Sequence, residues 1–261
     1  MAEPQYEVEA KLAIRSHTPQ VVADEIAQLK LLGGWTLWER DPVSVQDIYL
    51  DLPGLQLEDR GVALRLRRAA DRYLITLKGP EARVGDALQR EELEREWSRE
   101  TVDQIARTLR DWGIRLPRPP SFSGESHPSA ALARWGLIAV QNRETARRRR
   151  AVGRGLPGGT VTAELAIDQV VYQIGGRGVR HYEVEVELCE SDRVAALADI
   201  LAALSRKWPA LMIWPYSKYT TGKALHALLA EPQPGLEITS SGDLLPSVYA
   251  RVEKWLAEQP D

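Results

Sequence analysis

The strongest constraint on the fold is charge that alternates with apolar residues along six short stretches of the sequence. These stretches are residues 7–11, 65–67, 76–78, 90–94, 143–147 and 183–187. A period of two is the period of a β-strand, so the polar side chains of each stretch share one face of a strand. Side chains at i and i+2 lie about 6–7 Å apart there, close enough to share a ligand. The pattern therefore predicts a β-rich protein with strongly charged strand faces.

Such alternation most often indicates an antiparallel sheet with one solvated and one packed face. A more specific arrangement is favoured here because like charges repeat along one strand, in Glu183, Glu185 and Glu187, and because charged sets occur in both halves of the chain. The amphipathic helices are numerous enough to cover the apolar face. We therefore expect an α+β fold in which a closed antiparallel β-barrel has a polar, charged lumen and helices packed outside.

Charge that is not compensated inside a lumen is costly, so the lumen is expected to hold metal ions and anions. Some of the stretches offer mainly carboxylates and others mainly cations. This combination suits a polyanion that is bound together with divalent metal ions.

Composition narrows the classes of protein that are possible. With 34 basic and 37 acidic side chains among 261 residues, the formal net charge is −3, which argues against general nucleic-acid binding. The single Cys189 excludes an intrachain disulfide and a multi-cysteine zinc site. No secretion signal or membrane-spanning apolar run is evident, so we expect a cytoplasmic protein without a membrane partner.

Helical spacing of apolar residues predicts helices at residues 19–32, 101–112, 218–230 and 246–258, with another that starts near residue 191. Segments 116–129 and 231–243 are rich in Pro and Gly and predict a loop and a linker. We accordingly expect one domain over residues 1–230. Residues 231–261 would form a linker and a C-terminal helix that packs on the barrel.

The start of the chain, Glu7-x-Glu9-x-Lys11, resembles the ExExK motif that opens the CYTH family, also called the triphosphate tunnel metalloenzymes. Later segments resemble the successive motifs of that family in order. These segments are Tyr49-Leu-Asp51, Gly61, Leu64-Arg65-Leu66-Arg67, Thr76-Leu-Lys78, Arg90-x-Glu92-x-Glu94, Arg143, Glu164 with Asp168, the strand 183–187 and Ser217-Lys218. The resemblance covers about residues 6–229. One departure is that Gly222 lacks the Arg that often precedes it in the family.

The resemblance implies an eight-stranded antiparallel tunnel that binds a triphosphate with one or two Mg²⁺ or Mn²⁺ ions. Hard divalent cations prefer carboxylate oxygens, and the implied metal ligands are Glu7, Glu9, Glu92, Glu94, Asp168, Glu185 and Glu187. Arginine binds phosphate with a planar fork and lysine as a point charge, and the implied phosphate ligands are Lys11, Arg65, Arg67, Lys78, Arg90, Arg143 and Lys218. Four of these are also the expected catalytic residues: Lys11, Arg65, Arg67 and Lys78. Which of Glu183, Glu185 and Glu187 bind metal is left open.

The function that the resemblance implies is metal-dependent triphosphate hydrolysis, with inorganic triphosphate as the first expected substrate. Three alternatives stay open: an adenylyl cyclase of the same family, a phosphatase of thiamine triphosphate or of nucleoside triphosphates such as ATP, and a non-enzymatic binder of polyphosphate or nucleotides. The expected partner is a small-molecule triphosphate rather than nucleic acid, and the expected assembly is a monomer or a homodimer.

Overall fold

The computed structural model of the chain describes residues 5–80, 82–84, 87–117, 127–190, 194–230 and 237–259, without the side chains of residues 5–7, 82–84 and 87–90. The strands are β1 Gln5–Ile14, β2 Leu31–Leu32, β3 Trp35–Asp51, β4 Ala63–Ala69, β5 Arg72–Lys78, β6 Ala82–Val84, β7 Ala87–Glu96, β8 Ile138–Gly153, β9 Val161–Ile174, β10 Arg177–Leu188 and β11 Leu211–Ile213. The helices are α1 Pro19–Ala27, α2 Arg99–Asp111, α3 Pro128–Arg134, α4 Val194–Lys207, α5 Lys218–Ala230 and α6 Pro246–Ala257, with a 3₁₀ turn at Glu58–Arg60.

The strands join one large antiparallel sheet, which confirms the α+β class. Their order is β11-β1-β10-β9-β8-β3-β4-β5-β7-β6, with β2 paired to β3 and an additional pairing between β1 and β7. The prediction of eight strands was wrong, because three strands of only two or three residues, β2, β6 and β11, extend the pairing. Eight strands pair in a circuit because β1 also pairs with β7, whereas β11 and β6 continue the pairing beyond it, so the sheet is not the simple ring of eight strands that was expected.

The chain forms two compact units. The first unit comprises Met1–Tyr6, Ser44–Ala82 and Arg90–Asn142, and the second comprises Glu7–Val43, Arg83–Gln89 and Arg143–Asp261. Strand β3 runs from the second unit into the first, because the boundary between Val43 and Ser44 falls inside it.

In the first unit, helix α2 covers the apolar face of the sheet. Ser98 caps the helix, since its Oγ accepts a hydrogen bond from the backbone N–H of Thr101 at 3.1 Å. Val102, Ile105 and Leu109 follow at helical spacing and are buried in a core with the apolar residues of β4 and β5. The polar residues that alternate with them on these strands therefore lie on the opposite face.

Helix α3 begins within the last two residues of the predicted loop 116–129 and was not expected, and residues 118–126 of that loop lie outside the described residues. Its first residue is Pro128, whose fixed φ suits the first turn of a helix. Leu132 of this short helix and the following Trp135 are fully buried in the core of the first unit. Tertiary burial, rather than a long helical repeat in the sequence, stabilises this element.

In the second unit, helices α1 and α4 pack on one face of β1, β9 and β10. Val8, Ala10 and Leu12 of β1 are buried in this core, whereas Glu9 and Lys11 alternate with them and face the other side. Helix α1 ends at Ala27, five residues earlier than predicted, because Leu31 and Leu32 pair with β3 as strand β2.

Helices α5 and α6 enclose a further core of the second unit together with the end of β9. Val170 and Tyr172 of β9 are buried there with Leu225 of α5 and Tyr249 of α6. Val170 and Tyr172 share a strand face with Asp168, so the helices lie beside the polar face of the sheet. None of the helices in the described parts of the chain combines the length and the apolar composition needed to cross a membrane.

Candidate active site

Strand register brings the charged residues of the second unit into rows that cross the sheet. Glu183 of β10 is opposite Asp168 of β9, and Asp168 is opposite Arg147 of β8. In the next row, Lys11 of β1 is opposite Glu185. Directly opposite side chains on one face of a sheet are close neighbours. The alternation along each strand therefore becomes a two-dimensional cluster of charges.

Three carboxylates form the centre of this face. One oxygen of each of Asp168, Glu183 and Glu185 lies within 4.8 Å of the others, and all three residues are buried. Two of them, Asp168 and Glu183, are 0% exposed. Buried carboxylates at such distances repel one another, so the arrangement requires cations beside them.

Lys218 supplies one of these cations from the first turn of α5. Ser217 begins the turn, because its Oγ accepts a hydrogen bond from the backbone N–H of Thr220 at 3.1 Å. The Tyr172 hydroxyl donates to the carbonyl oxygen of Lys218 at 2.9 Å and ties the helix to β9. The helix start is thus fixed against the face that carries the carboxylates.

The ammonium group of Lys218 lies among all three carboxylates. Its Nζ is 2.9 Å from Asp168 Oδ2 and 2.5 Å from Glu185 Oε1, and it also contacts Glu183 Oε1. A lysine was expected here as a phosphate ligand. In the structure its contacts are with the acidic groups.

Arg147 supplies the second cation, and it was missing from the predicted site. Its Nε and Nη2 bind the two oxygens of Asp168 at 2.8 and 2.6 Å, and Nη2 also binds Glu185. A signal was present in the sequence, since residue 147 shares a strand face with Arg143. The pairing itself joins positions 21 residues apart, and only the register of β8 with β9 shows it.

The electrostatics of this cluster favour the ionised forms of Glu183, Glu185 and Lys218. Burial opposes ionisation of Glu183, but Lys218 and the hydrogen bond from His181 outweigh it and lower the pKa of Glu183 to about 2. Burial likewise opposes ionisation of Glu185, and Lys218 with Arg147 holds its pKa well below the ordinary value. For Lys218, burial is outweighed by the surrounding carboxylates, which raise its pKa.

The ExExK strand adds an ion pair beside the cluster. Lys11 contacts Glu9 directly, and its Nζ lies 3.9 Å from Glu185 Oε1. Glu9 is opposite Glu187 in the register of β1 and β10, and Glu187 is opposite Glu164 in the register of β10 and β9. Glu9, Glu187 and Glu164 therefore form a row of carboxylates across β1, β10 and β9.

The first unit carries a separate charged cluster on β3, β4, β5 and β7. Arg67 binds Asp47 with two hydrogen bonds, at 2.8 and 3.0 Å, and Asp47 is fully buried. Arg65 binds Glu94 at 2.8 Å, and Lys78 lies 2.8 Å from Glu92. These three cations, which the resemblance assigned to phosphate together with four others, each contact a carboxylate in the structure.

Glu94 is held in its charged form. Burial opposes its ionisation, but Arg65, Arg67 and a hydrogen bond from Thr76 at 2.6 Å lower its pKa below the ordinary value. Asp47 was not predicted as a site residue. Its signal was its position on β3 two residues before Tyr49, on the face that carries the family-like motif.

The structure brings together part of each predicted set. Asp168 and Glu185 meet at the acidic centre with Glu9, Lys11 and Lys218 beside them, whereas Glu92 and Glu94 lie in the first unit with Arg65, Arg67 and Lys78. Arg143 is buried on β8 opposite Tyr172, and Glu187 is half-buried on β10. The side chains of Glu7 and Arg90 lie outside the described residues.

A divalent ion suits the acidic centre. Carboxylate oxygens are the ligands that Mg²⁺ and Mn²⁺ prefer. Together with Glu9, the centre has four carboxylates. Among the described residues three cations contact them, Lys218, Arg147 and Lys11, so the cluster retains negative charge. The donor set and the charge therefore both fit a hard cation.

Comparison with protein families and solved structures identifies the family and the fold. The sequence model of the CYTH domain matches residues 5–208. The chain belongs to the CYTH domain family. No curated protein matches the sequence. The match ends before α5, so Lys218 and the whole C-terminal segment of this CYTH protein lie outside it.

Solved structures similar to this CYTH protein include a candidate adenylyl cyclase from Hippeastrum that is described as having a dominant triphosphatase activity. It is 16% identical, with 84% of this chain and 95% of that chain covered and a TM-score of 0.54. Candidate adenylate cyclases from Bacillus halodurans and Vibrio parahaemolyticus are 16% and 17% identical, with 81% and 83% of this chain and 94% and 97% of theirs covered and TM-scores of 0.45 and 0.46. The likeness to the Hippeastrum protein shows a shared fold.

Proposed function

We propose that this CYTH protein hydrolyses a triphosphate with a divalent metal ion, and that its preferred reaction converts inorganic triphosphate to pyrophosphate and phosphate. The observation that carries the proposal is the buried centre of Asp168, Glu183 and Glu185. With Glu9 it has one carboxylate more than the three cations that contact it among the described residues. Membership of the CYTH family, which includes metal-dependent triphosphatases, supports the same reaction class.

The carboxylates that would hold Mg²⁺ or Mn²⁺ are those of Asp168, Glu185 and Glu9, with Glu187 on the same face. When bound, such an ion neutralises phosphate charge and promotes ionisation of a water molecule. The chain favours the ionised form of Glu185. It does so through Lys218 and Arg147, which lower the pKa of Glu185 despite its burial. The assignments of Glu7, Glu92 and Glu94 to metal remain predictions.

The cations of the protein would bind the phosphate oxygens and stabilise the charge that these oxygens carry in the transition state. Arg67 shows how one of these cations is positioned by a carboxylate. Its Nε and Nη2 hold Asp47. Its Nη1 lies 3.8 Å from Glu94 Oε2, beyond hydrogen-bond distance, and would donate to a phosphate oxygen. The same role is proposed for Lys11, Arg65, Lys78, Arg90, Arg143 and Lys218.

Inorganic triphosphate is preferred in this proposal because every predicted ligand of the two clusters can be assigned to phosphate or metal. Among the described residues we find no set that would recognise adenine or a thiazolium ring. Attack on the α-phosphate by a ribose hydroxyl would need the nucleoside held in one orientation. Cytoplasmic location and a monomer or homodimer also remain predictions.

The deciding experiment is a phosphate-release panel with Mg²⁺ or Mn²⁺, in which inorganic triphosphate, ATP, thiamine triphosphate and pyrophosphate are compared and cyclic AMP is measured in parallel. We expect the highest kcat/KM for inorganic triphosphate, ADP and phosphate as the products of any reaction with ATP, and little hydrolysis of pyrophosphate. Cyclic AMP as the main product would make the protein a cyclase. Binding of triphosphate without turnover would make it a non-enzymatic binder.

A matched pair of variants tests the metal ligands. Glu9→Gln removes a buried charge beside the acidic centre, whereas Glu39→Gln removes one from a side chain that is 81% exposed. We expect Glu9→Gln to lose most of the turnover without unfolding, and Glu39→Gln to keep it. Turnover near that of the wild type in Glu9→Gln at saturating metal would exclude this carboxylate as an essential ligand.

A further inference from the structure

A buried histidine lies beside the acidic centre, and the triphosphatase proposal gives it no role. His181 is on β10, two residues before Glu183, so both side chains share one face of the strand. Both residues are 0% exposed. His181 Nε2 lies 2.8 Å from Glu183 Oε2. Because the carboxylate is ionised and can only accept, Nε2 carries the hydrogen and donates it.

The other ring nitrogen of His181 contacts the C-terminal helix. Nδ1 lies 3.1 Å from the hydroxyl of Tyr249 on α6, and the two ring centroids are 5.6 Å apart. Tyr249 is itself buried and packs edge-on against Trp214 at 5.4 Å. The hydroxyl also has a hydrogen bond with the backbone of Tyr182, the neighbour of His181. The imidazole ring is therefore held from both sides.

The C-terminal segment reaches this position through main-chain contacts with β10. The backbone N–H of Arg180 donates to Gly242 O at 2.7 Å, and the N–H of Leu244 donates to Arg180 O at 3.0 Å. This parallel bridge lies one residue before His181. Val248 and Val252 then bury one side of α6 in the core that contains Tyr172. The segment thus places Tyr249 at His181, although it lies beyond the CYTH match.

We propose that His181 and Tyr249 are positioning residues of the acidic centre: Tyr249 orients the imidazole, and the imidazole holds the Glu183 carboxylate in place. One carboxylate oxygen of Glu183 contacts the ammonium group of Lys218, and the other accepts a hydrogen bond from His181 Nε2. Without the imidazole, repulsion from the nearby Glu185 would turn the carboxylate away, and the three acidic groups would no longer converge. The C-terminal helix is therefore part of the site. The effect on turnover rests on the proposed function, whereas the geometry does not.

Two substitutions of His181 separate positioning from packing. His181→Gln keeps a nitrogen donor near the position of Nε2, whereas His181→Leu keeps apolar volume and removes the donor. We expect His181→Leu to lower kcat for triphosphate and to weaken Mn²⁺ binding, each by about tenfold to a hundredfold. His181→Gln should restore most of both. A residue that only fills space would be replaced better by Leu than by Gln.

Tyr249→Phe tests the contribution of the C-terminal helix, and Tyr73→Phe is its matched control. Tyr73 is on β5 of the first unit, where its hydroxyl lies 2.6 Å from His127 Nε2. We expect Tyr249→Phe to change the ¹⁵N chemical shift of His181 Nδ1 and to lower kcat severalfold with little change in KM. Tyr73→Phe should leave the His181 signals and kcat unchanged.

The readouts distinguish failure of this inference from failure of the proposed function. If the wild type hydrolyses no triphosphate, the proposed function is wrong, and the ¹⁵N shifts with the Mn²⁺ affinities of folded variants still decide the positioning role. If the wild type is active and His181→Leu retains its Mn²⁺ affinity and kcat, the positioning role is wrong. An unchanged Nδ1 shift in Tyr249→Phe would likewise remove Tyr249 from the network.

Discussion

Replacement of Lys218 by Met tests whether the acidic centre depends on a cation. Methionine has a similar length and no charge, so Lys218→Met leaves Asp168, Glu183 and Glu185 without the ammonium that contacts all three. Removing one partner of a buried ion pair costs about 3–5 kcal/mol in the free energy of unfolding. In a chain of this size that corresponds to a decrease in Tm of about 6–20 °C.

The pH dependence of this loss of stability in Lys218→Met follows from the ionisation of the carboxylates. Glu183 has a pKa of about 2 in the folded protein because Lys218, followed by His181, outweighs the effect of burial. Without Lys218 its folded pKa rises, so the variant loses stability that the wild type has above the ordinary carboxyl pKa. The difference in free energy of unfolding should therefore be largest at neutral pH and should shrink as pH falls below about 4.

The assay is thermal and urea unfolding at several pH values, with and without MgCl₂. Mg²⁺ should raise the Tm of Lys218→Met more than that of the wild type, because it can replace the missing charge among the carboxylates. Lys254→Met is the matched control, since the same charge is lost from a side chain on α6 that is 77% exposed. If Lys218→Met is as stable as the control at neutral pH, the cluster does not need its ammonium and the reasoning fails.

Three further outcomes are expected. In urea unfolding, the free energy of unfolding of Glu183→Gln should differ from that of the wild type by a margin that narrows as pH falls from 5 to 2. The reason is that a folded pKa of about 2, against an ordinary 4.5, contributes about 3 kcal/mol only while the carboxyl group is ionised. A margin that stays constant with pH would contradict this. Arg67→Met should lower both kcat/KM for triphosphate and the free energy of unfolding. Adding Asp47→Leu should recover stability but not activity, because the unpaired buried carboxylate of Asp47 is then removed. Recovery of both in the double variant would show that Arg67 has no role in binding. Gly242→Ala should lower the free energy of unfolding by about 2 kcal/mol, because its φ is +95° and a Cβ would lie 2.4 Å from Gly178 O. Gly175→Ala, at φ +55° with open space, should cost less, and equal losses would exclude the close contact as the cause.

Features that depend on neighbours along the chain were predictable from the sequence. Alternation of side chains is a local property of a strand, so Glu9 and Lys11 could be placed on one face, and Glu183 and Glu185 on another, without knowledge of the fold. Helix α2 was predicted within two residues at each end, because its apolar spacing is also local. Most of the family-like motifs lie in strands and include most of the charged residues of the two clusters, whereas Ser217-Lys218 is at the start of α5.

Features that depend on register and on distant segments required the tertiary structure. The bidentate pairing of Arg147 with Asp168 depends on how β8 aligns with β9, and a shift of one residue would have turned each side chain to the other face. The strands β2, β6 and β11 are too short to give a periodic signal. They form where tertiary contacts supply pairing partners.

The acidic centre shows most clearly which features are local in the sequence and which depend on distant segments. The sequence by itself determined which residues bear charge and which face of each strand carries them, because both follow from residue type and a period of two. Only the tertiary structure decided that Lys218, on a helix more than thirty residues after Glu183, lies among three carboxylates, and that Tyr249 reaches His181. These contacts are selected by the free energy of burying charges together with their partners, which depends on the whole fold rather than on any local pattern.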